Sequence, residues 1–213
     1  MCDMKEVFNN YIDDKLKYKK WQLIGIFCLL VVLSGIFGWI YEFIFYYFNG
    51  GMKEFYMQGG NFLPWINIYA IGAILIVLLS YKFKKRPLLV FLIGFFSSGI
   101  LEYISGYLIY TFCNGARYWD YNVEILNFGN INGFVCLRSV LFFGLSSLIL
   151  MYLMLPFCIY ISKKMKRKQF LIFSICLCGI FLFDEIYNLI LCKLFNLPNA
   201  INIYESLGFK YVN

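Results

Sequence analysis

Five long apolar runs alternate with short polar stretches along the chain. They extend from Leu23 to Phe48, from about Ile66 to Phe83, from Leu88 to Phe112, from Gly133 to Ile161 and from Phe170 to Phe195. A bilayer core about 30 Å thick is crossed by roughly 20 apolar residues in a helix, so each run predicts a membrane-spanning helix. The pattern predicts an all-α fold, a polytopic transmembrane helical bundle of about five spans. Residues 1–21 read as a cytoplasmic amphipathic segment, 22–196 as the bundle, and 197–213 as an extracytoplasmic C-terminal tail. The first run is expected to stay as an anchor. A polar segment precedes it, it exceeds the apolar length of a signal peptide, and no A-x-A site follows.

Composition agrees. Of 213 residues, 62% are hydrophobic and 15% charged, whereas soluble domains lie nearer 45–50% and about 25%. Aromatic residues make up 22% of the chain, more than a soluble domain of this size hides and far more than a disordered one carries.

The net charge of +7 is unevenly placed. Lys5, Lys15, Lys17, Lys19 and Lys20 precede the first run; Lys82, Lys84, Lys85 and Arg86 separate the second from the third; Lys163, Lys164, Lys166, Arg167 and Lys168 separate the fourth from the fifth. In a five-span drawing all of these fall on one side, leaving Lys53, Arg117, Lys193 and Lys210 opposite. The asymmetry predicts a cytoplasmic N-terminus and a cell-membrane location. It makes these runs contacts for membrane lipids, with no nucleic-acid partner. The chain has no His, and most of its eight Cys lie in apolar runs, where Cys behaves as a small hydrophobe. Cys176 and Cys178 are two apart and point to different helix faces. No metal and no cofactor is predicted.

Ionisable residues inside a span are costly unless they face protein or water, so Glu42, Glu102, Arg138, Asp184 and Glu185 are the candidates for function. All fall in the outer half of their runs, with Arg138 about six residues deep. Ser34, Gly38, Glu42 and Tyr46 recur every four residues, as do Gly94, Ser98, Glu102 and Gly106, so each acid shares a face with small residues that let helices approach closely. Asp184, Asn188 and Cys192 form a polar line in the last run. These residues predict a substrate-binding cavity open to the outer side, in which Glu42, Glu102, Arg138, Asp184 and Asn188 take part. The plainer alternative is that Arg138 pairs with one acid and holds the bundle together. Acids left without an intramembrane cation are expected to be protonated, solvated by water or bound to a cation or a basic ligand.

Between the third and fourth runs, Cys113 to Ile131 is the connection long enough to carry chemistry. Arg117 and Asp120 are three apart and can pair, while Trp119 with Tyr118 and Tyr121 reads as an interfacial aromatic belt. In the sharper reading Arg117, Trp119 and Asp120 belong to a lid over the cavity. The stretch Gly59 to Trp65, containing Pro64, has the composition of a re-entrant segment near residues 59–68.

Several motifs in order resemble the family of putative type IV ABC-transporter permeases, small multi-span proteins of Gram-positive bacteria. They are Gly38-Trp39-Ile40-Tyr41-Glu42, Leu63 to Ala73, Leu101-Glu102-Tyr103, Trp119-Asp120-Tyr121-Asn122 and Asn130 to Ser139, together covering about residues 34 to 160. The family's second proline is Asn67 here, and its usual basic residue before the I-C-L triplet is Phe134. The resemblance implies a transporter. The chain carries no G-x-x-x-x-G-K-[ST] phosphate loop, so an ATPase would be a separate subunit. A homo-oligomer is admitted as well. Three functions are therefore expected in turn: a transport or substrate-binding component, an intramembrane enzyme using carboxylate acid/base chemistry on a lipid-linked or peptide substrate, or an assembly and regulatory partner.

Overall fold

The computed structural model describes residues 3–49, 57–209 and 211–212; Cys2, Lys53 and Lys210 lie outside them. The chain is all-α in class. Among the described residues, four helices are long and apolar enough to cross a membrane: Lys20–Phe48, Pro87–Phe112, Leu137–Lys164 and Arg167–Leu194. The remaining expected span is a shorter apolar helix, Asn67–Phe83. Large side chains such as Leu78, Phe96 and Phe183 stay exposed along these helices, as lipid-facing surfaces require.

In chain order the elements are α1 (Met4–Ile12), α2 (Lys20–Asn49), β1 (Met57–Gln58), α3 (Asn67–Ser80), α4 (Pro87–Phe112), α5 (Leu137–Ile149), α6 (Leu155–Lys164), α7 (Arg167–Ile186), α8 (Cys192–Leu194), α9 (Ala200–Ser206) and β2 (Tyr211–Val212). A π-helical turn, Leu150–Met154, joins α5 to α6, and another, Tyr187–Leu191, joins α7 to α8. The two-residue strands pair in parallel. Two compact units are formed, one from residues 1–71 and 155–213, the other from residues 72–154.

In the first unit α2 lies along α7, and α1 lies on α6 with Val7 and Tyr11 buried. Glycine makes the close approaches possible: a Cβ at Gly25 would run into the Phe170 ring, and one at Gly38 into the Tyr69 ring. Gln22 Nε2 donates to Ser162 Oγ at 3.5 Å, and Trp21 meets Phe170 edge to face. The lysine runs 15–20 and 163–168 therefore gather at one end of this unit. Within residues 197–209, α9 docks back onto the unit through Asn188 and Phe62.

The second unit is an antiparallel pair, α4 against α5. The buried residues of α4 are Val90, Gly94, Ser98, Glu102 and Gly106, one face at four-residue spacing. A Cβ on Gly94 would come within 2.5 Å of the Ser147 Cβ, and one on Gly144 within 2.6 Å of the Phe91 ring. Ser147 donates its hydroxyl to Val90 O (3.1 Å) or to Gly144 O (2.6 Å). The fourth span begins at Leu137, later than the apolar run does. Asn132 (φ 57°) and Gly133 (φ 77°) sit in the left-handed region, and Ile131 bridges Val135, so helix cannot start before them. Arg138 is consequently a first-turn residue, not one six residues deep.

Candidate functional site

Each unit holds one polar centre built around an intrahelical acid. In the 72–154 unit that acid is Glu102, 5% exposed and ten residues before the end of α4. Tyr121 donates its hydroxyl to Oε1 at 2.7 Å, and Ser139 donates to Oε2 at 2.7 Å. Ser139 can instead turn its hydroxyl to Cys136 O at 2.9 Å. The helix face of small residues brings the acid to the seam, and the first turn of α5 supplies Ser139. The connection 113–136 folds back to deliver Tyr121.

That connection is held by its own side chains. Trp119 Nε1 donates to Phe134 O at 2.9 Å, and the Tyr121 amide donates to Gly133 O at 3.0 Å. Arg117 Nη1 donates to Asn132 O at 3.0 Å and pairs with Asp120 at 3.4 Å, its guanidinium lying over the rings of Tyr110 and Phe134. Asp120 Oδ1 also accepts from the backbone and side-chain amides of Asn122. A Cβ at Gly133 would strike Asn122, Arg117 and Asp120, so only glycine fits. The two sequence motifs Trp119–Asn122 and Asn130–Ser139 are thus the two sides of one packed loop.

Arg138 forms an ion pair with Glu124 and lies 5.4 Å from the centre of the Tyr121 ring. Both side chains are mostly buried. Burial, followed by the nearby charge and hydrogen bond of Glu102, pushes the Tyr121 phenol well above its usual value. Tyr121 is therefore a lasting proton donor to Glu102.

In the other unit Asp184 and Glu185 stand at the end of α7, both buried. Asp184 Oδ1 accepts from the Phe62 amide (3.0 Å) and Asn188 Nδ2 (2.8 Å); Oδ2 accepts from the Leu63 amide and the Trp65 indole, each at 3.0 Å. Glu185 accepts from Asn61 Nδ2 at 2.8 Å and Asn67 Nδ2 at 3.0 Å. The irregular stretch before α3 is thereby fixed. Its Ile66 amide donates to Gly35 O, midway along α2, where a Cβ would come within 3.1 Å of Trp65. This is non-helical backbone beside mid-helix, with Asn61, Trp65 and Ile66 buried and Leu63 and Pro64 exposed. Asn188 Oδ1 accepts from the Ala200 amide at 2.8 Å, and Tyr204 donates to Phe62 O at 2.6 Å, which ties α9 to the same centre.

Neutral amide, indole and backbone donors bond both carboxylates of this centre. The aromatic belt is also redrawn. Tyr121 is buried against Glu102 and Trp119 bonds inward, while Tyr118 stays exposed. Glu42 is half-buried on α2, in the 1–71/155–213 unit. Residues that carry these centres but went unmarked as site residues are Asn61, Asn67, Tyr121, Glu124 and Ser139. Of these, Asn67, Tyr121 and Ser139 stand inside motifs already visible in the sequence, and Asn61 in the Gly59 to Trp65 stretch.

Apolar helices longer than a bilayer, with acids bonded inside them, define a polytopic helical membrane protein. The chain belongs to the family described as "Putative ABC-transporter type IV", whose model matches residues 26–189. It is a membrane-embedded, transport-related protein. The match reaches beyond residues 34–160, where the motif resemblance ends, and takes in Asp184, Glu185 and Asn188. Comparison with curated proteins and with solved structures gives no match.

Proposed function

We propose that the protein is the multi-pass permease component of a cell-membrane transport system, N-terminus cytoplasmic and energised by a separate ATPase subunit. Glu102 is the group through which it handles substrate. One observation carries this reading: a carboxylate buried within a span is held by two hydroxyls, Tyr121 and Ser139. Hydroxyls rotate and both donate and accept, and Ser139 already has a second acceptor within reach in Cys136 O. The carboxylate can therefore exchange a partner for a proton or for the N–H of a basic substrate without leaving a buried polar group unmet. Arg138, Arg117, Trp119 and Asp120 shape the loop that covers it. In the other unit, Asp184 and Asn188 fix the 59–67 segment beside Glu185, and Glu42 offers a further acid for substrate.

Membership of the family supports the transport class, and the geometry supports Glu102 as its reactive group. The test compares metabolite profiles of cells and medium with and without the chain. Glu102→Gln, at membrane abundance equal to wild type, is expected to abolish the difference that the wild type produces. A retained difference would overturn the assignment.

A further inference from the structure

We propose that the outer edge of the 113–136 connection, at Val123, Ile125, Leu126, Phe128 and Ile131, is a lipid-inserted surface seated at the boundary between acyl chains and headgroups. Three observations converge on lipid as the occupant.

The connection does not stand off from the helices. Tyr121 reaches Glu102, and Asn132 Nδ2 donates to the Tyr103 hydroxyl at 3.1 Å. Phe134 packs its ring against Tyr103, Tyr107 and Tyr110. From Glu102 to its end at Phe112, α4 continues for about 15 Å at 1.5 Å per residue, and the connection lies along that overhang. Tyr107, Leu108 and Phe112, on the overhang itself, keep their side chains exposed as lipid-facing residues do.

The charges are turned inward. Residues 113–138 hold two acids and two guanidiniums, and these pair with each other as Arg117–Asp120 and Arg138–Glu124. The Arg117 guanidinium lies over the Tyr110 and Phe134 rings and that of Arg138 over Tyr121, so the charges sit toward the helices, while the side chains of Asn122 and Asn132 stay exposed beside them.

The apolar edge is continuous with the start of a span. Leu137, the first residue of α5, donates its amide to Phe128 O at 3.0 Å, and a Cβ at Gly129 would lie 3.1 Å from the Leu137 Cβ. Val123 is 82% exposed, and Leu126 is 56% exposed at φ 55°, a conformation that a large side chain takes at a cost. Water offers such a surface nothing; an interface that buries it does.

The experiment adds one cysteine, Leu126→Cys or, in a second variant, Val123→Cys, to the full chain with Cys2, Cys28, Cys113 and Cys176 replaced by Ser, the parent without the added cysteine giving the background label. Each is labelled with an environment-sensitive fluorophore and reconstituted in phosphatidylcholine–phosphatidylglycerol nanodiscs. Quenching by a spin label carried high on the lipid acyl chain is expected to exceed quenching by a water-soluble paramagnetic complex at least threefold at both positions. A ratio below threefold at either position would overturn the proposal.

Discussion

Tyr121 and Glu102 are joined by a 2.7 Å hydrogen bond although one belongs to a loop and the other lies ten residues inside the end of a span. The bond fixes how far the loop folds back. It also makes loop and helix register a single fact, since Ser139 completes the acid from the first turn of the next helix. Tyr121→Phe strands one carboxylate oxygen and is expected to cost about 1–3 kcal/mol, read as a lower unfolding temperature in detergent. Glu102→Ala is expected to cost at least as much. The double variant should show a coupling of about 0.5–3 kcal/mol, the mark of a direct contact; strict additivity would contradict the bond.

Alkaline pH probes the same residue. The folded protein holds the Tyr121 phenol neutral well above its ordinary value, so its stabilisation is complete below about pH 10, where the unfolded phenol is also neutral. Above that pH the unfolded chain gains by ionising and the folded one does not, so stability falls as pH rises. Thermal unfolding between pH 8 and 11 should decline more steeply for the wild type than for Tyr121→Phe.

The Arg138–Glu124 pair has side chains only 13% and 15% exposed. Arg138→Met would leave a nearly buried carboxylate without its cation, at an expected cost of about 3 kcal/mol. Arg138→Met with Glu124→Gln should recover most of it. Recovery in the double variant separates an ion pair from a direct need for arginine; transport measured alongside tells whether the pair also serves substrate.

Asp184→Asn removes half of an acceptor that serves two backbone amides and an indole. The expected loss is about 2–3 kcal/mol, with new protease cleavage between residues 59 and 66, whereas Trp65→Phe should cost about 1 kcal/mol. Proteolysis followed by mass spectrometry checks both.

Glycines sort by what surrounds them. Gly94→Ala drives a methyl onto Ser147 and Gly133→Ala adds strain at φ 77°, so both should destabilise by more than 1 kcal/mol. Gly179 has nothing within 4 Å of a built Cβ. Gly179→Ala should be neutral or stabilise by up to about 1 kcal/mol.

The spans were legible because apolar runs near bilayer length have few other uses. The start of the fourth was misplaced at Gly133, although Asn132-Gly133 is a turn signal that an apolar run masks. Acids inside spans announced Glu102, Asp184 and Glu185 by their cost alone. Their partners were silent for a different reason. Asn61, Asn67, Tyr121 and Ser139 are neutral, and they come from 19 to 124 residues away, where no helical spacing links donor to acceptor. Charge can be counted along a chain, but hydrogen-bond complementarity exists only once the chain has folded.

The ties of Asp184 and Glu185 to residues 61–67 cross 118 to 124 positions of sequence. A ribosome delivers the donors long before the acceptors. The stretch around Pro64 is handed to the insertion machinery with its amides unmet, and it settles only when the final hydrophobic segment has been released beside it. A nascent chain halted ahead of Asp184 therefore carries every earlier span and still lacks the clasp that closes the first unit.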